Sequence, residues 1–291
     1  FKLQGKKSMS KKLSVSIIVV VLVSLLFSAC TPTPAPTQAA PEVVPTAEPT
    51  AAPTATEVPP PPTATPEPAP DVQALWSELV AGIPADKGYG TVAATKLNEE
   101  LVEKPPFLLD VREASEVEKD GFIEGSVNIP VRDVLKNLDK LPAQDQPIVI
   151  YCASGHRGGF VFSALRVLGY TNVRNLAGGL GAWKKAEFAV ATGKPADPVA
   201  GTAPALENQA LFTMLDGFLS NLPEGFLATS ADKLNVSLVE NPPFLLDIRT
   251  AKEFGENGRI TGAVNIPLEE LFANLDKLPA KDTPMVVYCV S

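Results

Sequence analysis

One cysteine, Cys152, follows an apolar run and precedes a glycine-rich segment that contains Arg157. Residues 148–151 predict a short buried strand, and residues 160–168 predict a helix closed by Gly169. Backbone N–H groups in the intervening turn, the dipole at the start of the helix and the Arg157 guanidinium would all favour negative charge on the sulfur. The segment therefore predicts a nucleophilic cysteine that is present as a thiolate.

Three further motifs flank this segment in chain order: Phe107–Arg112, which ends in Asp-Val-Arg, Ile123–Pro130 and Leu176–Trp183. Together with the cysteine segment they resemble the motifs of rhodanese-type sulfurtransferases, in which the cysteine carries a persulfide. The resemblance implies an α/β rhodanese-like domain with Cys152 as its catalytic residue. It also implies a loop that binds substrate and persulfide, formed by Ala153, Ser154, Gly155, His156, Arg157 and Gly158. Gly158 stands where serine is common in the family.

Helical and strand-like patterns alternate around these motifs. Helical spacing of apolar residues occurs in 94–102 and 131–138, and strand-like runs occupy 107–109, 148–151 and 172–176. Such alternation is typical of an α/β domain with a mainly parallel central sheet flanked by helices. The ligand site of such a sheet lies at the carboxyl ends of its strands.

Polar residues occupy the predicted strand ends. Asp110 and Arg112 follow one strand and Cys152 follows another. We interpret Asp110 and Arg112 as support for the pocket rather than as catalytic residues, with Glu116 as a nearby partner for Arg112. His156 is the one histidine in the sequence, but attack of a thiolate on thiosulfate needs no general base. We therefore expect His156 to be a loop residue that faces solvent.

The sequence repeats itself without a gap, residues 96–154 matching residues 233–291. Shared segments include Pro-Pro-Phe-Leu-Leu-Asp, Asn-Ile-Pro and Asn-Leu-Asp-Lys-Leu-Pro-Ala. So long a period indicates two copies of a domain rather than a solenoid. The second copy offers Cys289 as a nucleophile candidate, but its sequence stops inside the active-site loop. We expect this truncated copy to be marginally stable and inactive, because a partial parallel sheet exposes apolar faces and unpaired edges.

Composition divides the chain into five parts. We predict a signal peptide (1–29), a disordered Pro/Thr-rich tether (30–70), a complete first domain (71–195), a linker (196–205) and a truncated second domain (206–291). The tether favours extended polyproline II, because its composition cannot bury enough apolar surface to fold.

The N-terminal segment places lysines before an apolar run that ends in Ala29-Cys30, which resembles the lipobox of bacterial lipoproteins. The resemblance implies cleavage before Cys30 and lipidation of its sulfur. An uncleaved membrane anchor is the alternative, although the apolar run is shorter than the roughly 20 residues that span a bilayer. The lipid anchor would hold the domains in the bacterial cell envelope, on the outer face of the cytoplasmic membrane.

Charge and motif content limit the partners. A net charge of −8, with no basic run beyond the N-terminus, argues against nucleic acid. Neither a Cys-x2-Cys pair nor a phosphate-binding glycine-lysine loop occurs, so we expect no metal and no cofactor. We expect the donor to be a small sulfur-containing anion and the acceptor to be a thiol, cyanide or a protein.

Two other functions stay open at this level. The domain could be a non-catalytic module at the cell surface that binds a partner or senses redox state. It could also be a phosphatase or arsenate reductase of the same fold, whose loops resemble this one but carry Cys-x5-Arg around a phosphate. The spacing from Cys152 to Arg157 is Cys-x4-Arg, which favours a sulfur donor.

Overall fold

The computed structural model describes residues 71–83, 85–198 and 201–289 of the chain. The predicted signal peptide, the lipidation residue Cys30 and the tether up to residue 70 lie outside these residues and stay predictions. Within the described ranges, no helix combines the length and the apolar character that a membrane crossing requires.

The first copy is built on a five-stranded sheet. Its strands are β1 (Thr91–Val92), β2 (Phe107–Asp110), β3 (Val127–Asn128), β4 (Ile148–Tyr151) and β5 (Val173–Leu176). They lie in the order β1-β5-β4-β2-β3, and every pairing is parallel. All four residues of β4 are buried, because both faces of the sheet are covered by helices. The predicted α/β class with a mainly parallel sheet is confirmed.

The helices of the first copy form a layer on each face of the sheet. They are α1 (Val72–Ala81), α2 (Ala94–Glu103), α3 (Ala114–Asp120), α4 (His156–Val167) and α5 (Gly179–Lys185). Ile148 and Ile150 of β4 join the apolar cluster that contains residues of α1 and α4. Val149 and Tyr151 join a second cluster with residues of α2 and α5. Alternate residues of β4 thus enter opposite cores, as the two-residue period of a strand requires.

The second copy repeats the first half of this architecture. It contains α6 (Gln209–Ser220), α7 (Ala231–Glu240), α8 (Ala251–Glu256), β6 (Phe244–Asp247), β7 (Val264–Asn265) and β8 (Met285–Tyr288). Its three strands lie in the order β7-β6-β8, and Asp247 pairs with Tyr288 as Asp110 pairs with Tyr151. Met285 is 42% exposed and Val287 is 48% exposed. The repeat is confirmed, and the marginal stability of this copy stays a prediction.

The helices that lead into the two copies pack at their junction. Leu211 and Leu219 of α6 and the following Leu222 are buried in the same cluster as residues of α4. The helix that leads into the first copy makes a similar contact: Trp76 of α1 packs at a tilt on Phe272 of the second copy, with ring centroids 5.3 Å apart. The second copy is therefore joined to the first by an apolar interface.

Two predicted helices differ from those observed. Residues 131–138 do not form one helix: a 3₁₀ helix covers Leu135–Lys140 and is kinked at Asn137, whose φ is −127°. The Asn137 amide donates to the carbonyl of Asp133, and this local bond competes with regular helix. The helix after the cysteine begins at His156 rather than at residue 160, because Gly155 adopts a φ of +91° and caps it.

Candidate active site

Cys152 lies at the carboxyl end of β4, where the chain turns towards α4. Its side chain is 1% exposed, and its Sγ accepts the backbone N–H of Gly155 at 3.2 Å. The left-handed conformation of Gly155 aims this N–H at the sulfur and starts the helix at the next residue. The sulfur therefore faces a donated N–H and the N-terminal end of a 12-residue helix, both of which stabilise negative charge on it.

The six residues predicted as the loop divide between loop and helix. Ala153 and Ser154 are exposed, Gly155 is the helix cap, and His156, Arg157 and Gly158 form the first turn of α4. Placement in the helix fixes the direction of the Arg157 side chain, which a free loop would not. Arg157 is 6% exposed.

Glu116 holds the Arg157 guanidinium. Nη1 of Arg157 donates to Oε2 at 2.5 Å and Nη2 donates to Oε1 at 2.7 Å, which is bidentate geometry. Burial acts to lower the pKa of Arg157, but Glu116 outweighs it and Cys152 adds to the rise, so the pKa lies above its ordinary value. The partner expected for Glu116 was Arg112, which contacts only its backbone carbonyl, at 3.4 Å.

Changing Glu116 to Gln tests this ion pair. The hydrogen bonds of Arg157 lower the pKa of Glu116 below its ordinary value of 4.5. The ion pair therefore stabilises the fold fully at pH values above 4.5, and this stabilisation is lost as the pH falls below 4.5 and the folded protein takes up the proton. We expect E116Q to lower the free energy of unfolding by about 2 kcal/mol at pH 7, less than for a fully buried pair. The difference from the unmodified protein should shrink below pH 4.5 in urea titrations. E124Q, at an exposed position, is the control, and a difference that is constant with pH would contradict the assignment.

The start of α5 clamps the cysteine turn from the other side. The N–H of Leu180 donates to the carbonyl of Cys152 at 2.8 Å, and the N–H of Gly181 donates to that of Ala153 at 2.9 Å. Gly179 makes this approach possible: its φ is +56°, and a Cβ there would lie 2.3 Å from the Cys152 carbonyl oxygen. The Gly-Gly motif found in the sequence therefore acts through close backbone packing on the loop.

Asn175 of β5 binds the backbone of the cysteine turn. Its Nδ2 donates to the carbonyl of Gly155 at 3.0 Å. Its Oδ1 lies where a side chain at position 158 would be, since a Cβ on Gly158 would come within 2.2 Å of it. Glycine at this position, where serine is common in the family that the sequence resembles, therefore accommodates Asn175.

Asp110 and Arg112 form a buried ion pair at the end of β2. Nε of Arg112 donates to Oδ1 of Asp110 at 3.0 Å and Nη2 donates to Oδ2 at 2.5 Å, with both side chains at most 1% exposed. Nη2 also donates to the carbonyl of Gly121 at 2.7 Å. The Asn128 amide donates to the carbonyls of both Asp110 and Arg112, each at 2.9 Å. These contacts tie the strand end to the segment that follows α3.

Changing Arg112 to Met should destabilise the first copy strongly, because it leaves the Asp110 charge buried without its partner. We expect a loss of about 3–5 kcal/mol in unfolding free energy, measured by urea titration with tryptophan fluorescence. The matched change is R249M in the second copy, where the arginine side chain is 9% exposed and the aspartate is buried. The loss there should be smaller, because Arg249 is the more exposed arginine and water can reach Asp247 once it is replaced. Circular dichroism follows this variant, since both tryptophans lie in the first copy, and equal losses would show that burial of the arginine does not set the effect.

His156 does not simply face solvent. It is exposed, but its Nε2 lies 2.8 Å from the carbonyl oxygen of Phe226, to which it donates, and its ring packs edge-on against Phe160. The Phe226 ring also contacts the guanidinium of Arg157, with the guanidinium carbon 4.6 Å from the ring centroid. Sequence reasoning missed Phe226, because it lies 70 residues after His156 and no local pattern connects the two.

The second copy reproduces the support but not the whole site. Arg249 donates to Asp247 at 2.9 and 2.6 Å, as Arg112 does to Asp110. Cys289 lies at an exposed position after β8, in the place of Cys152. Partial burial of its thiol, together with the charges of Asp247 and Glu253, raises the pKa of Cys289 above its ordinary value. The two cysteines thus have different surroundings: Cys152 is buried and accepts the Gly155 N–H, whereas Cys289 is exposed.

Within the described ranges, no three His, Cys, Asp or Glu side chains come together as a metal site would require. The predicted site residues of the first copy other than Asp110 and Arg112 converge on one turn, at the amino end of α4. Asp110 and Arg112 lie at the neighbouring strand end, since Asp110 pairs with Tyr151 in the sheet.

Known protein families and proteins are similar to this chain. The model of the rhodanese-like domain family matches residues 93–186 and 230–291, just over half of the chain. The human thiosulfate:glutathione sulfurtransferase is 33% identical, over 34% of this chain and 97% of its own length. A sulfurtransferase from Allochromatium vinosum is 30% identical, over 32% of this chain and 87% of its own length. Among solved structures, a rhodanese-related protein from Thermoplasma volcanium is 30% identical, with a TM-score of 0.32, over 35% of this chain and 97% of that chain.

Proposed function

The chain belongs to the rhodanese-like domain family, and from this membership we propose that its first copy transfers sulfane sulfur from thiosulfate or a polysulfide to a thiophilic acceptor, through a persulfide on Cys152. The relatives reported above are named as sulfurtransferases, which supports the reaction class. The single observation that carries the proposal is the placement of the Cys152 sulfur at the amino end of α4, with the Gly155 N–H donated to it.

In the first half-reaction the Cys152 thiolate attacks the outer sulfur of thiosulfate. The new Cys–S–S bond forms as the S–S bond of thiosulfate breaks, and its electron pair leaves with sulfite. The total charge of −3 is the same on both sides, and no external oxidant is needed. Arg157 would attract the anionic end of the donor, and the Gly155 N–H would stabilise the persulfide anion.

In the second half-reaction an acceptor attacks the terminal sulfur of the persulfide. Cyanide leaves as thiocyanate and a thiolate leaves as its own persulfide, while the electron pair of the broken S–S bond returns to Cys152 as thiolate. The cycle is ping-pong, with one covalent intermediate. The proposed acceptors include low-molecular-weight thiols, because the human relative is named for glutathione.

Mass spectrometry tests the intermediate directly. After incubation with thiosulfate and no acceptor, the peptide that contains Cys152 should gain the mass of one sulfur atom and lose it again on addition of cyanide. Unchanged mass with every sulfur donor would reject sulfur transfer. In that case, hydrolysis of p-nitrophenyl phosphate would support the phosphatase alternative, and inactivity in both assays would support a binding or redox-sensing module.

We also propose that the protein acts in the bacterial cell envelope, held by a lipid on Cys30. The lysines and the apolar run before Ala29-Cys30 support this placement. In bacteria that express the full sequence and are fed a labelled fatty acid, the protein should be found in the membrane fraction and should carry the label. The C30A variant should carry no label and should leave the membrane fraction. If the protein with its original Cys30 carried no lipid, the proposal would be contradicted.

A further inference from the structure

A segment that leads into the second copy reaches back to the site of the first. We call it the capping segment; it runs from Leu222 to Leu227, between α6 and α7. Leu222 is 4% exposed and belongs to the apolar cluster that contains Cys152, and Phe226 packs against the same cluster. Leu227 is 63% exposed. The segment is thus anchored at Leu222 and reaches solvent at Leu227, with Phe226 turned towards the site.

The Phe226 ring lies against two guanidinium groups. The guanidinium carbons of Arg132 and Arg157 are each 4.6 Å from its centroid. Contacts of this kind are favourable, because the face of the ring carries partial negative charge. Since Glu116 already binds both terminal nitrogens of Arg157, the ring closes a further approach to this cation. The Phe226 ring therefore occupies part of the space through which an anion would approach Arg157.

Arg132 fastens the segment at its anchored end. Its Nε and Nη2 donate to the carbonyl of Leu222 at 2.9 and 2.8 Å, and Nη2 also donates to that of Pro223 at 3.2 Å. Its Nη1 donates to Glu113 at 2.8 Å, which holds the guanidinium in place. With the bond from His156 to the Phe226 carbonyl, the first copy binds the segment at both ends.

Backbone strain opposes these contacts. Phe226 has a φ of +53° and Leu227 a φ of +61°, and neither is glycine. The left-handed conformation is unfavourable for residues that carry a Cβ, so the backbone of the closed segment is strained at both positions. Favourable contacts and unfavourable backbone strain therefore act against each other in this segment.

The repeat carries a second example of this turn. Tyr89 stands at the position of Phe226 in the repeat register, and it also has a left-handed φ, of +52°. Burial raises the pKa of Tyr89, and Glu269 and Glu253 of the second copy raise it further. Glu253 is the counterpart of Glu116 in the same register. Each leading segment therefore carries an aromatic residue with a left-handed backbone at the same register position.

We propose that the capping segment is a lid on the Cys152 site, and that Phe226 restricts the closed site to small anions and small acceptors. The lid itself follows from geometry alone, whereas the selection of acceptors by size rests on the proposed function. With the lid closed, Cys152 is 1% exposed and Arg157 is 6% exposed. Opening would uncover the guanidinium of Arg157 and widen the approach to the turn that carries Cys152, so that a bulky thiol would reach the terminal sulfur of the persulfide.

Alkylation of Cys152 tests the lid without any sulfur transfer. The rate of reaction with iodoacetamide is measured in the full chain by peptide mapping, which separates Cys152 from the other two cysteines. We expect F226A to raise this rate by about tenfold, because the reactive fraction grows as closure weakens. R132Q, which removes the guanidinium that donates twice to the carbonyl of Leu222, should also raise it. The matched control is L227A, from the same turn but exposed, which should alkylate at the rate of the unmodified protein.

Alkylation of both F226A and R132Q at the unmodified rate would overturn the lid, and R132Q decides the question if F226A does not fold. The selection by size is then tested with thiosulfate as donor. F226A should raise the ratio of the rate with glutathione to the rate with cyanide, and an unchanged ratio would reject size selection. If no variant transfers sulfur but alkylation still responds to F226A, the proposed function fails and the lid stands.

Discussion

Replacing Cys152 with serine is expected to lower thiosulfate-dependent formation of thiocyanate by at least about a thousandfold, because loss of a covalent nucleophile removes the reaction path itself. A serine hydroxyl at this position would still receive the Gly155 N–H, but it would not hold a transferable sulfur atom. The fold should be retained, since serine differs from cysteine by one atom at a buried position. Initial rates with cyanide as acceptor, together with far-ultraviolet circular dichroism, measure both effects.

The control for this change is C289S in the second copy. Its cysteine has a raised pKa, because of partial burial and the nearby charges of Asp247 and Glu253, which leaves less thiolate at neutral pH. We expect C289S to keep the rate of the unmodified protein within a factor of about two, since changes away from the reacting group seldom alter a rate more. A similar partial loss of rate in C152S and C289S would show that both copies transfer sulfur. No loss in either variant would show that neither cysteine is the nucleophile.

Much of the core of this site follows from local sequence. The buried strand β4 is readable because Ile148–Tyr151 is a continuous run of three β-branched residues and one aromatic residue, as expected of a strand covered on both faces. The repeat also drew attention to Asp110 and Arg112, since the same two residue types recur at Asp247 and Arg249, although the sequence predicted Glu116 as the partner of Arg112 and the structure pairs it with Asp110. In each case the signal lies within a few residues of the feature that it predicts.

Other parts of the site depend on contacts between distant segments. The helix after Cys152 begins at His156, although the two glycines of its first turn disfavour helix, because β5 and α5 hold the turn in place. The carboxylate of Glu116 pairs with Arg157, which lies 41 residues away, and not with Arg112. Phe226 contacts Arg157 only because α6 packs on the first copy. Such contacts are properties of the packed fold, and sequence spacing does not reveal them.

Gly179 offers the second large effect, because it lets α5 approach the cysteine turn without touching a reacting atom. A Cβ at this position would lie 2.3 Å from the Cys152 carbonyl oxygen and 2.8 Å from the backbone nitrogens of Ser154 and Gly155, where no flexible side chain can give way. Its φ of +56° adds strain for alanine. In G179A the turn must therefore shift, and with it the N–H that Gly155 donates to the sulfur.

We expect G179A to lower the rate of sulfur transfer by about a hundredfold, the loss that follows when a reacting group is misplaced by about 1 Å. The matched control is G159A in α4, where a Cβ would meet nothing within 4 Å and alanine favours helix. G159A should keep the rate and raise the free energy of unfolding by about 0.5–1 kcal/mol. Initial rates and urea titrations measure both variants. Full activity in G179A would show that the loop does not need its contact with α5, and the geometry of Cys152 would then have to be set by α4 alone.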